Sequence, residues 1–154
     1  MSTNPSSRIR LIPPLVYGLA ILLGLALEWV SPIIGLAWKW RFGFAAPLFI
    51  ASVWLIIWTL IQFRKAETPF DVRKDATTLI TGGPFRFTRN PGYVALTLLC
   101  LAIGIALSNL WILGLLIPTL AIVDIAIIRK EEINLLATFK TSYQEYQQQV
   151  RRWI

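Results

Sequence analysis

Histidine is absent from all 154 residues and cysteine occurs once. The first absence removes the usual zinc ligand and the commonest general base, so any chemistry here runs without either. The second excludes a disulfide and a cysteine metal cluster, and Cys100 itself lies in the middle of an apolar run. Acid is scarce as well: 8 aspartates and glutamates stand against 15 lysines and arginines, for a net charge of +7. There is no internal repeat and no low-complexity tract. The first apolar run is followed by Glu28-Trp29-Val30-Ser31-Pro32 rather than a small-x-small cleavage site, so it reads as a retained membrane helix.

What the chain has is apolar length. Hydrophobic residues make up 56% of it and the mean hydropathy is +0.62, too greasy for a soluble fold of this size. Four apolar segments at 11–30, 42–63, 91–107 and 110–128 approach the roughly 20 residues that a helix needs to cross a bilayer. The fold class is therefore an all-α integral membrane protein of one domain, 1–154, with about four spans. Thirteen of the 15 basic residues fall before the first span, between the second and third, or after the fourth; only Lys39 and Arg41 lie on the other side. The positive-inside rule then places both termini and the central loop in the cytoplasm, with membrane lipids as neighbours. Charges bordering spans fix topology and meet anionic headgroups, which argues against nucleic acid as a partner.

Along the chain, Pro13-Pro14 sits where a helix can begin, and Gly18 and Gly24 offer small surfaces for close helix packing. Trp29, Trp38 and Trp40 flank an outer loop as an interfacial aromatic belt. Ser108-Asn109 alone separates the third and fourth spans, which must form an antiparallel hairpin. The fourth carries Pro118, expected to kink it, and Asp124, an acid at membrane depth that is either functional or paired with Arg129 or Lys130. Beyond Arg129, Leu136, Phe139, Tyr143, Tyr146, Val150 and Trp153 recur at spacings of three and four, one face of an amphipathic helix expected to cap the cytoplasmic ends of the spans.

The segment from Thr81 to Tyr93 is the longest stretch that is not simply greasy. Gly82, Gly83 and Pro84 deny it a regular helix, Arg86 and Arg89 charge it, and Asn90-Pro91 marks a turn that opens the third span. The hairpin returns the chain to the same face, where Glu131 and Glu132 leave the fourth span. Asp124 and Glu131, seven apart, share a helix face by α-helical periodicity, and Glu132 points toward the side of Leu136 and Phe139. A carboxylate beside backbone amides, Asn90 and Tyr93 suits a zwitterionic ligand with an amino group, hydroxyls and a fixed positive charge.

The pattern Gly83-Pro84-Phe85-Arg86, Arg89-Asn90-Pro91-x-Tyr93, Glu131-Glu132, Phe139, Tyr143-x-x-Tyr146 and Val150-Arg151-Arg152-Trp153 closely resembles the isoprenylcysteine carboxyl methyltransferase family and the related phospholipid N-methyltransferases. It covers roughly 77–154. The resemblance implies a membrane enzyme that binds S-adenosylmethionine on the cytoplasmic side and methylates a lipophilic molecule or lipid entering from the bilayer. It implies cofactor contacts from Thr77, Thr78, Leu79, Ile80, Phe85, Asn90, Pro91, Gly92, Tyr93 and Glu131. Arg89 and Glu132 are the catalytic candidates, and an amine or hydroxyl acceptor would need a base, for which Glu132, Asp124 and Tyr93 are available. Asn90 stands where the prenylcysteine enzymes have histidine, and Phe85 where tyrosine is frequent. Ile127 replaces the arginine that eukaryotic relatives offer to the substrate carboxylate, which argues against prenylcysteine as acceptor. Two other readings compete: a steroid- or sterol-type membrane reductase using a nicotinamide cofactor, and a small membrane scaffold or transporter subunit.

Overall fold

The computed structural model describes residues 12–33, 35, 37–67 and 78–154, with backbone alone at 38 and 39. Arg8, Arg10, Arg73, Lys74 and Thr77, which entered the topology and site expectations, lie outside the described residues. Helix α1 (Pro13–Val30) opens on its two prolines, whose missing amide hydrogens no first turn would use. Helix α2 (Trp38–Lys65) starts earlier than its apolar run at 42, so Trp40 joins the helix instead of an outer loop. Helix α3 (Pro91–Leu107) and helix α4 (Leu110–Ile122) follow the central loop. A π-helical segment, Val123–Ile128, joins α4 without interruption to helix α5 (Arg129–Gln149). Pro118 is accommodated inside α4, and the chain leaves regular α-helical geometry only after it, at the π segment.

Among the described residues, α1, α2 and the continuous run Leu110–Gln149 are long and apolar enough to cross a membrane, and α3, at 17 residues, is a shorter apolar helix packed among them. α3 is central: it lies against α2, α4 and α1, while α1 also packs along α4. The outward faces are greasy, with Leu19 67%, Ile50 66% and Ile117 74% exposed. Such side chains belong in a core if water surrounds them; on an all-helical bundle they are the lipid-facing surface.

Small residues and hydroxyls let the helices approach. A Cβ on Gly24 would stand 2.9 Å from the Ile112 backbone nitrogen, and the Asn109 amide donates to the Gly24 carbonyl at 3.1 Å. The other end of the same Asn109 side chain accepts from Ile112 N at 2.9 Å and caps α4. Ser52 donates to the Ala95 carbonyl at 2.8 Å, tying α2 to α3. Gly18, by contrast, faces open space, so the sequence expectation of a close helix contact holds at Gly24 and not at Gly18. Gly24→Ala is accordingly expected to destabilise the bundle by about 1–3 kcal/mol through overpacking. Gly18→Ala should be neutral or slightly stabilising, because alanine is the better helix former. Thermal unfolding of the two variants in one detergent checks this, and equal midpoints would show that α1 and α4 are not in contact at Gly24.

The amphipathic pattern after Arg129 is only partly one helix. The backbone breaks at Lys140 (φ 46, ψ −119) and the helix stops at Gln149. Tyr143 and Tyr146 are buried as their spacing requires, in a cluster with Phe85 that Val150 flanks. Trp153 has left that face and packs on the other cluster, among Tyr93, Val123, Ile127 and Ile128.

Candidate active site

The site is built from the loop before α3 upward. Gly83 takes φ +61, the left-handed region that favours glycine, and a Cβ there would displace the Gln62 side chain of α2. The chain then winds one 3-10 turn, Gly83–Arg86, with Pro84 and Phe85 buried. The Phe85 ring meets Phe63 edge-on with centroids 5.8 Å apart, and its carbonyl accepts the buried Tyr146 hydroxyl at 2.7 Å. That bond fastens the loop to the far half of α5. Burial pushes both Tyr143 and Tyr146 hydroxyls up, Tyr143 to about 12 with help from the nearby Glu132 charge, so both remain donors throughout the neutral range. Tyr146→Phe should strand the Phe85 carbonyl and lower stability by about 1–2 kcal/mol. Substitution of the exposed Gln148 by aspartate should be silent in the same unfolding assay.

Asn90 precedes α3 without capping it: its backbone N–H donates to Thr88 Oγ1 at 3.1 Å and its side-chain amide to the Arg152 carbonyl at 2.9 Å. Pro91 then opens the helix and places Tyr93 in its first turn, 8% exposed. The Tyr93 hydroxyl donates to Glu131 Oε1 at 2.8 Å. Residues 38 apart in sequence thus meet through the α3–α4 hairpin.

Glu132, the next residue, faces elsewhere. Its Oε1 lies 3.0 Å from Arg89 Nη2 and 3.1 Å from Arg152 Nε, and its Oε2 lies 2.6 Å from Arg152 Nη2. Arg152 also reaches Asp124 through Nη1, at 3.3 and 3.4 Å. Asp124 further accepts from Arg129 Nε at 3.1 Å and from the Trp153 indole at 3.3 Å. The hydrogen bond to Glu132 is the foremost cause raising Arg152 above the ordinary arginine range. Straight α-helical counting pairs Asp124 with Glu131. The π segment between them adds about one residue to the turn, so Asp124 and Glu132 converge on Arg152, and Glu131 turns to Tyr93 instead.

Of the residues expected at the site, Tyr93 and Glu131 touch, and Asn90, Pro91 and Gly92 form the corner leading to them. Leu79 and Ile80 pack beside Phe85 in the Tyr143–Tyr146 cluster, and Thr78 lies at the exposed edge. Along α5 the ionic network falls between the two apolar clusters, with Ile127 and Ile128 before Glu132 and Leu135 and Leu136 after it. Ile127, at the position of the relatives' arginine, is 5% exposed in the core and offers no charge. Arg89 and Glu132 face each other, and Arg89 Nε is buried with no acceptor among the described residues. Among those residues there is also no cluster of three metal-ligating side chains. Sequence reading missed Thr88 and Arg152 as site residues. The signal was the Arg151-Arg152-Trp153 run, which carried resemblance but seemed only to continue a helix face.

The family profile for phospholipid methyltransferases matches residues 40–142, from the start of α2 through the Glu131-Glu132 pair into the far half of α5. No curated protein and no solved structure matches the chain at a significant level. The matched span holds the central loop, the hairpin and both acids, which sets the reductase and scaffold readings aside in favour of methyl transfer. On that match and this architecture, the chain belongs to the phospholipid methyltransferase family.

Proposed function

We propose that the protein is a membrane methyltransferase that takes its methyl group from S-adenosylmethionine and delivers it to a lipid or lipophilic small molecule arriving from the bilayer. The observation that carries this reading is the Tyr93–Glu131 contact at the mouth of α3. It puts a carboxylate oriented by a buried hydroxyl beside the Asn90–Gly92 corner. The donor set fits the cofactor. Glu131 suits an ammonium or ribose hydroxyls, and the buried Arg89 Nε is a donor for a carboxylate, the two charges of an amino-acid headgroup. Thr77, outside the described residues, and Thr78, Leu79, Ile80 and Phe85 would border the same site.

When bound, S-adenosylmethionine supplies a methyl on a sulfonium, open to in-line displacement. The chain's part is alignment and exclusion of water more than proton transfer. Glu132 takes three contacts from two guanidiniums, so in this proposal Arg89 and Glu132 fix the floor of the site. An acceptor that must lose a proton would find Glu131 and Tyr93 nearest. In this reading the site faces the cytoplasm, supported by the basic edges of the spans, and the greasy outer faces of the helices suit a lipid acceptor. Purified protein incubated with lipid extract and methyl-labelled S-adenosylmethionine tests the reading. Label in an extractable lipid is the expected result, and label confined to water-soluble products would overturn the choice of acceptor.

A further inference from the structure

After α5 the chain turns back on the site. Val150 is extended (φ −126, ψ 133), and the next residues run beside the loop that feeds α3. The Arg151 carbonyl accepts the Arg89 backbone N–H at 2.9 Å. The Arg152 carbonyl accepts both the Thr88 hydroxyl at 3.1 Å and the Asn90 amide at 2.9 Å. The Arg152 side chain points the other way, forked onto Glu132 and reaching Asp124. One residue therefore holds the loop with its main chain and the start of α5 with its side chain.

Those are the two halves of the corner where Tyr93 meets Glu131. The backbones of α3 and α5 do not run side by side; α5 continues the π segment and packs its apolar side chains on the Phe85 cluster. Tyr93 shares an apolar cluster with Val123, Ile127 and Ile128, which brings the π segment to α3, and the polar contacts of Arg152 then hold the next turn at Glu132. Glu131 and Glu132 are neighbours on one helix, so anchoring Glu132 fixes the direction of Glu131 about 100° around the axis. Leu135, Leu136 and Phe139 before the break at Lys140 pack on the Tyr143–Tyr146 cluster, and that anchor ties α5 to the loop at Phe85, whereas Arg152 ties it at Thr88 and Asn90.

We propose that Arg152 is a positioning residue for the S-adenosylmethionine site: by joining Thr88 and Asn90 to Glu132 and Asp124, it sets the Tyr93–Glu131 corner that receives the cofactor. This rests on the cofactor reading above. Isothermal titration of S-adenosylhomocysteine into the parent, Arg152→Ala, Arg152→Lys and Thr88→Val tests it. Arg152→Ala should raise the dissociation constant about tenfold or more, the loss typical of charge-assisted hydrogen bonds, with stoichiometry near that of the parent. Arg152→Lys should fall between, since it keeps the cation and loses the fork. Thr88→Val removes one bond to the strap together with the acceptor of the Asn90 N–H and should weaken binding about threefold, which keeps the test available if Arg152→Ala does not fold. A purely structural role would lower the stoichiometry and leave the affinity of the remaining folded molecules unchanged. That result, or parent-like affinity in both Arg152→Ala and Thr88→Val, would overturn the positioning role. No binding by the parent itself would instead overturn the cofactor reading.

Discussion

Glu132→Gln is expected to be the most destabilising single change at the site, lowering stability by about 3 kcal/mol, because it leaves guanidiniums without their carboxylate. Arg89 and Glu132 are 11% and 10% exposed at the side chain, so water does little to screen their loss; Arg152, at 32%, is better solvated and adds less. The size of the effect comes from stranding charge, not from the worth of the intact pair, since well-buried pairs often contribute little net stability against an apolar replacement. Thermal unfolding in detergent should show a midpoint drop of several degrees for Glu132→Gln and almost none for the exposed Lys130→Gln, two residues away on another face. Equal midpoints would mean that the Asp124–Arg152–Glu132–Arg89 network does not hold α5 in place.

Glu131→Gln should do the reverse: little change in unfolding, a large change in binding. The carboxylate accepts from Tyr93 at 2.8 Å, and the amide of glutamine can still accept that bond. On the proposed reading what is lost is the charge offered to the cofactor, a loss of about 1.5–3 kcal/mol, or roughly tenfold to a hundredfold in affinity for S-adenosylhomocysteine. Tyr93→Phe removes the orienting hydroxyl and should cost less, about 1 kcal/mol. Adjacent glutamates are thus expected to separate cleanly, Glu131 in the titration and Glu132 in the melt. If both moved the same observable, the assignment of one to the ligand and the other to the scaffold would be wrong.

Much of this was legible in the residues. Apolar length called for the helices, Ser108-Asn109 for the hairpin, and Pro13 and Pro91 for two helix starts, because each follows from local chemistry. That the start of α3 comes back to Glu131 follows from the hairpin. Three features were hidden. The π segment at Val123–Ile128 shifts the register by which Asp124 and Glu131 were paired, and a residue count cannot reveal it. The break at Lys140 carries neither glycine nor proline, so no breaker signal marks it. The return of Val150–Trp153 depends on partners at Thr88, Asn90, Asp124 and Glu132 that are far away in sequence. Its heptad-like spacing of aromatics continued a helix pattern that the folded chain abandons at Gln149.

The central claim is that the cofactor occupies the corner between the start of α3 and the start of α5. Ultraviolet irradiation of the purified protein with methyl-labelled S-adenosylmethionine, followed by peptide mapping, addresses it most directly. The account predicts that the label falls on peptides spanning 78–93 or 127–135 and is competed by unlabelled S-adenosylhomocysteine. Competed label on the outer ends of α1 or α2, or no competed label at all, would contradict it.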